Sequence, residues 1–255
     1  MTLEKTVTLE KTVALVTGAS SGIGAATARR LAAEGATVAL VARRWDRISG
    51  LAAEIGNDAL PVQADVTSDE EAREAVDFVV AERGRLDTLV NNAGVMLLGP
   101  ALDADPGDWE RMVALNVQGL LNVTHAALPH LVRAAEDSPR RVADLVNVSS
   151  TAGRIARPGS AVYNLTKTGV IAFSDALRQE LIGKRVRVSV IEPGTVDTEL
   201  ASHLGDGIRE AAQQQVGSIE PLRPSDIADA IAYIVTRDRR VAVNEMLVRA
   251  GEQTW

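Results

Sequence analysis

The chain has 255 residues, 46% of them apolar, enough for one large α/β domain with a core of its own. Cysteine is absent, which excludes disulfides, thiolate metal sites and cysteine nucleophiles. A net charge of −7 without a basic block and an aromatic content of 3% argue against nucleic acid and anionic membrane as partners.

In chain order, residues 2–7 and 8–13 both read Thr-Leu-Glu-Lys-Thr-Val, a duplication with no fold-building period behind it. A loose tail over 1–11 is expected, with a single domain over 12–255. Apolar, β-branched runs at 13–17, 37–42, 59–64, 86–91, 143–149 and 187–192 predict strands. Amphipathic stretches near 22–34, 45–55, 69–83, 108–135 and 163–182 predict helices. Repeated strand–helix–strand order implies right-handed crossovers and a parallel sheet covered on both faces, a doubly wound α/β/α arrangement in three layers. The runs are apolar at successive positions, as strands buried on both sides require. Ligands of such sheets bind beyond the carboxyl ends of the strands. The chain has neither a long apolar run nor a basic–apolar leader, so a cytoplasmic protein is expected.

Between the first strand and first helix stands Thr17-Gly-Ala-Ser-Ser-Gly-Ile-Gly24. Gly18, Gly22 and Gly24 allow a tight turn and close approach to a ligand. With Ser20, Ser21 and Ile23 they lead into a helix start whose free N–H groups suit a phosphate. The second strand ends Val-Ala-Arg43-Arg44, with Ala42 where an acidic residue would grip a ribose hydroxyl. A guanidinium there suits a 2′-phosphate, so NADP(H) is expected over NAD(H). Arg43 is the favoured contact, and Arg44 fits a solvated position better.

The sharpest local signal is Tyr163-Asn-Leu-Thr-Lys167, one helical turn apart and on one face. A lysine cation there brings a tyrosine pKa down from about 10 toward the working range of a general acid/base. Thirteen residues before the tyrosine, Ser150 ends an apolar strand and brings a hydroxyl to the same sheet edge. His125, His130 and His203 are too scattered for a metal cluster, so no metal is expected.

Together, Thr17–Gly24, Asn91-Asn-Ala-Gly94, Asn116 in Leu-Asn-Val, Ser150, Tyr163-x-x-x-Lys167 and Pro193-Gly194 resemble the short-chain dehydrogenase/reductase family over about residues 12 to 250. The resemblance implies a Rossmann-like fold and hydride transfer between nicotinamide and a carbonyl or alcohol. It makes Tyr163 the general acid/base, Ser150 the contact to the substrate oxygen and Lys167 the partner of the nicotinamide ribose. Asn116 would hold a water of the proton relay. Asp65 and Val66 would contact adenine, and Asn92, Ala93 and Gly94 would line the cofactor. Pro193, Gly194, Thr195 and Val196, with Thr198, would contact the carboxamide. It further implies a substrate lid over 195–219 and a homotetramer, with a dimer next. The helices 108–135 and 163–182 and a strand near 245–248 would form its interfaces.

Met96, Leu97 and Leu98 suggest an apolar wall or a packed loop, and Arg154 and Arg157 either a grip on a substrate carboxylate or solvated surface. Reduction and alcohol oxidation both stay open. A non-catalytic NADP-sensing protein is the competing class, against which stands the filled set of catalytic positions.

Overall fold

The computed structural model describes residues 8–200 and 219–254. Seven strands, β1 Val13–Thr17, β2 Thr37–Ala42, β3 Leu60–Gln63, β4 Thr88–Asn91, β5 Ala143–Val148, β6 Val186–Pro193 and β7 Glu245–Val248, form one parallel sheet. Their order is β3-β2-β1-β4-β5-β6-β7. The chain therefore winds outward from β1 in one direction and, from β4, in the other. The crevice between the carboxyl ends of β1 and β4 is where such a sheet receives its ligand.

The helices are α1 Gly22–Ala33, α2 Trp45–Ile55, α3 Asp69–Arg83, α4 Pro106–Val113, α5 Leu120–Asp137, α6 Ala161–Leu181 and α7 Pro224–Val235. Side chains alternate across a strand, and that alternation builds two cores. Ala14 and Val16 of β1, with Val38 and Leu40 of β2, pack under α1, α2 and α7. Val13, Leu15, Ala39 and Val41 face the opposite way, against α3, α5 and α6. Local signals set several helix ends. Ser68 caps α3 by accepting the Glu71 N–H at 3.3 Å, and Gly84 ends it in the left-handed region at φ 75°.

All six expected strands are present, with the ends of several displaced by a few residues. Three departures matter more. The helix expected over 108–135 is broken by a π-turn, Ala114–Gly119, between α4 and α5. α7 was absent from the expected elements, although Pro224 at its start, Asp226 accepting the Arg223 N–H at 2.7 Å and its Ile/Ala periodicity all mark a helix. The expected tail is anchored inside its last residues. Leu9 is fully buried in the core on the α1 side of the sheet, and its backbone donates to the Glu34 carbonyl at 2.9 Å and accepts from the Thr12 N–H at 3.1 Å.

Candidate active site

The turn out of β1 runs against the turn out of β4. The Thr17 hydroxyl accepts from the backbone N–H groups of Asn92 and Ala93 at 3.0 and 3.1 Å. The Asn92 amide donates back to the Thr17 carbonyl at 3.0 Å. Gly18 sits at φ +65°, and a Cβ on it would stand 2.9 Å from the Ala93 Cα. A Cβ on Gly24 would collide with the Gly18 carbonyl, so α1 can start this close to the strand only without one. Ser21 makes no side-chain cap, and the first turn of α1 carries no acidic residue. That leaves a positive helix end uncompensated at the crevice. These features fit a dinucleotide pyrophosphate.

Beyond β2 the two arginines part ways. Arg43 lies 3.6 Å from the Asp65 carboxylate, with its side chain 64% exposed. Burial pushes the Asp65 carboxyl up, but bonds from the Thr67 N–H and hydroxyl, with Arg43 nearby, bring it net below its usual range. Arg44 turns onto the glycine loop. Its Nε donates to Ser20 Oγ at 3.0 Å, and its Nη2 donates to Ser20 and Ser21 Oγ, both at 2.8 Å. The sequence reading favoured Arg43 and left Arg44 as surface, whereas geometry gives Arg44 the contact with the loop. Spacing along the chain carries no information about which of two neighbours folds back.

On the other side of the crevice, β5 delivers Ser150 and α6 delivers Tyr163 and Lys167. Tyr163 and Lys167 are buried, and the Tyr163 hydroxyl bonds with the Ser150 side chain. Lys167 Nζ donates to the Val148 carbonyl at 2.9 Å and lies 5.8 Å from the centre of the Tyr163 ring. Burial pushes the phenol up to about 12, partly offset by the Ser150 bond, and pushes the ammonium down to about 8. Burial is the larger influence on the phenol, which is protonated at neutral pH.

Asn116 occupies the π-turn. Its Oδ1 accepts the Val95 N–H at 2.8 Å, and its Nδ2 donates to the Val95 carbonyl at 2.9 Å and to the Thr166 hydroxyl at 3.2 Å. A π-turn rotates one side chain off the regular helical path, a feature common at functional sites. Here it lets an amide reach the loop after β4. A Cβ on Gly94 would lie 3.2 Å from Asn116 Oδ1 and 3.6 Å from Lys167 Nζ, so the missing methyl keeps open the space between them.

Pro193 and Gly194 close the edge beyond β6. Gly194 donates to the Val248 carbonyl at 2.8 Å, and the Gln253 side chain accepts the Thr195 N–H at 2.9 Å. Val196 bridges to Leu222, and a Cβ on Gly22 would approach the Thr198 methyl at 3.2 Å. Val66 is buried, and its carbonyl accepts from the Asn122 amide at 3.1 Å. Of the lid expected over 195–219, residues 201–218 lie outside the described residues, as does His203.

Met96, Leu97 and Leu98 do pack around Val95, Met112 and Tyr163, an apolar wall beside the phenol. Arg154 has other partners than a substrate. It pairs with the fully buried Glu192 carboxylate and with Glu245 of β7. Asn164 was missed by sequence reasoning, although its place inside the Tyr-x-x-x-Lys motif marked it. Its amide donates to the carbonyls of Ala152 at 2.6 Å and Ile155 at 2.9 Å, and its oxygen accepts from Ser160 at 2.5 Å. A buried Asn91–Asn147–Ser174 chain, with links of 2.9 and 2.8 Å, ties β4, β5 and α6 together below the site.

A doubly wound sheet, with a glycine loop at its reversal and a serine–tyrosine–lysine cluster across the crevice, defines a nicotinamide-dependent oxidoreductase class. A family model described as short chain dehydrogenase matches residues 12–208, and the chain belongs to that family. It is 37% identical over 246 residues to sulfoacetaldehyde reductase 2 of Chromohalobacter salexigens, covering 95% of this chain and 96% of that protein. Among solved structures, a serine dehydrogenase complexed with NADP+ superposes at a TM-score of 0.87 with 34% identity, over 95% of this chain and 96% of the other. The 3-ketoacyl-(acyl-carrier-protein) reductase of Brucella melitensis complexed with NADH gives 0.87 and 32%, over 96% and 99%. The protein is thus an oxidoreductase that transfers hydride between a nicotinamide cofactor and a small carbonyl or alcohol. Among its described residues, no helix is long and apolar enough to cross a membrane.

Proposed function

We propose that this protein is an NADP(H)-dependent carbonyl reductase with Tyr163 as its general acid/base, cytoplasmic and assembled as a homotetramer. The observation that carries the reading is the buried Tyr163, bonded to Ser150, with the Lys167 ammonium set against its ring. A bound nicotinamide supplies or accepts the hydride. Ser150 holds the substrate oxygen beside the phenol. Tyr163, protonated at neutral pH, donates to that oxygen as negative charge grows on it, and in oxidation it takes the proton back. Lys167 stabilises the phenolate left behind and holds the nicotinamide ribose. Lys167 passes a proton to that phenolate, and a water beside Asn116, in the gap that Gly94 leaves open, reprotonates Lys167.

Gly18 to Gly24, with Ser20 and Ser21, hold the pyrophosphate, Arg43 and Arg44 the 2′-phosphate, and Asp65 and Val66 the adenine. Asn92 to Gly94 and Pro193 to Thr198 line the nicotinamide half. Ala42 in place of a carboxylate supports the choice of NADP(H). Leu165 on α6 is 66% exposed, and Trp109 and Val113 on α4 are also exposed, apolar surface that suits burial between copies. Light scattering tests the assembly, and a mass of one chain at micromolar concentration would refute it.

Substrates of the relatives guide the test. In addition, Met96–Pro100, Gly153-Arg154 and Glu192–Leu200 resemble the corresponding segments of the reductase that converts clavulanate-aldehyde to clavulanic acid. The panel is sulfoacetaldehyde, clavulanate aldehyde and neutral aldehydes and ketones, with serine in the oxidative direction. Each is run with both cofactors and followed at the near-ultraviolet absorbance of the reduced nicotinamide. Turnover of a carbonyl with NADPH, and a clear excess over NADH, is the expected result. Binding of NADPH without turnover of any panel member would favour a sensing protein instead.

A further inference from the structure

One anion already sits among the donors that a 2′-phosphate would use, and it belongs to the chain. The Glu199 carboxylate accepts from Arg47 Nη1 at 2.6 Å through one oxygen and from Arg44 Nη1 at 3.0 Å through the other. The same Arg44 guanidinium reaches the Ser20 and Ser21 hydroxyls of the glycine loop. Two guanidinium groups and the Ser21 hydroxyl thus converge on a single acidic oxygen pair, the donor chemistry that recognises a phosphate monoester. Arg47 was not among the residues expected from sequence. It stands in the first turn of α2, where a motif-based reading sees only an exposed basic residue. Glu199 follows Thr198, which faces Gly22 across the loop.

Resting on the NADP(H) reading above, we propose that Arg47 joins Arg44 in the 2′-phosphate site and that Glu199 is an internal competitor for that site. The cofactor phosphate displaces the carboxylate when it binds. Arg47 and Arg44 hold the Glu199 carboxyl far below its usual range, at about 2, so the competitor is charged throughout the physiological range. All three side chains are about half exposed, which keeps each pairing modest and salt-sensitive. Competition therefore tunes discrimination between phosphorylated and unphosphorylated cofactors without abolishing binding. A cofactor lacking the 2′-phosphate has no reason to displace Glu199.

The test is calorimetric titration of the full chain with 2′,5′-ADP and with 5′-AMP, repeated with NADPH and NADH. Wild type should prefer 2′,5′-ADP. Glu199→Gln should tighten 2′,5′-ADP and NADPH by about five- to twentyfold, while 5′-AMP and NADH stay within about twofold. Arg47→Ala should weaken the phosphorylated ligands alone, and the gain from Glu199→Gln should vanish in an Arg44→Ala/Arg47→Ala background. Glu199→Ala serves as the second variant, and thermal melting confirms that each variant is folded. If wild type binds 2′,5′-ADP no better than 5′-AMP, the NADP(H) reading falls and the competitor with it. If wild type discriminates but Glu199→Gln binds 2′,5′-ADP equally or more weakly, the competitor alone is overturned.

Discussion

The two banks of the crevice are built on opposite principles. The catalytic bank, from β5, α6 and the π-turn, is largely buried, and several of its polar side chains are fixed to backbone. Lys167 is tied to Val148, Asn116 to Val95 and Asn164 to Ala152 and Ile155. The cofactor bank beyond β2 is a set of exposed arginines paired with acids, Arg43 with Asp65 and Arg44 and Arg47 with Glu199. Chemistry at a proton donor needs a fixed geometry and a low dielectric, because each strengthens the electrostatics of the transition state. Recognition of a soluble phosphate needs reachable charge, which solvent screens and neighbouring acids can moderate. Substitutions on the first bank should therefore act on turnover, and those on the second on affinity and cofactor choice.

The largest effect should come from the catalytic bank. Tyr163→Phe should lower kcat by about a thousandfold, since both the proton donor and an oxyanion contact are lost, and NADPH affinity should change little. Turnover and nicotinamide fluorescence read the two separately. A variant that keeps a tenth of the wild-type rate would break the division between the banks.

The cofactor bank should show the reverse pattern. Arg44→Ala should weaken NADPH by about tenfold with NADH nearly unchanged, and Ala42→Asp combined with Arg43→Ala and Arg44→Ala should invert the preference. Competing titrations with the two cofactors measure this. An equal loss for both would mean that the arginines hold the loop and not the phosphate.

A pH profile sharpens the comparison further. Burial holds Lys167 at about 8 and Tyr163 at about 12. As pH rises, Lys167 therefore loses its proton first, while Tyr163 stays protonated. Reduction should be level below about pH 8 and fall above it, because the cation that stabilises the phenolate is gone. The fall should follow the Lys167 ammonium and persist in Arg44→Ala. The same shift enters stability with a definite sign. A lysine depressed in the fold disfavours folding in full below its folded value of about 8, and that penalty fades as pH climbs toward the unfolded value of 10.5.

The smallest effect on chemistry should follow Arg154→Ala. It strands the buried Glu192 carboxylate and should lower stability by about 1–3 kcal/mol, seen in urea unfolding. The ratio of rates for acidic and neutral carbonyl substrates should not move. A selective loss of the acidic ones would restore Arg154 to the substrate pocket.

The parallel, doubly wound class of the sheet was legible in the chain, because β-branched runs of strand length alternate with 3.6-residue periodicity and each signal is local, whereas the strand order came with the fold. The sequence also placed Ser150, Tyr163, Lys167 and the glycine loop, since those residues sit at fixed offsets along one strand end or one helix face. What it left open turns on contacts between parts of the chain far apart in number. Whether Arg43 or Arg44 meets the loop, and that Glu199 reaches Arg44 and Arg47, depend on the packing of α2 beside the turn after β6, and that Arg154 answers Glu192 depends on β5 lying beside β6. The π-turn carrying Asn116 escaped for the same reason, its amide being drawn to Val95 twenty-one positions away. The pKa of Tyr163 depends on burial, a property of the whole assembled core, so the upward push on the phenol is legible in the folded chain alone.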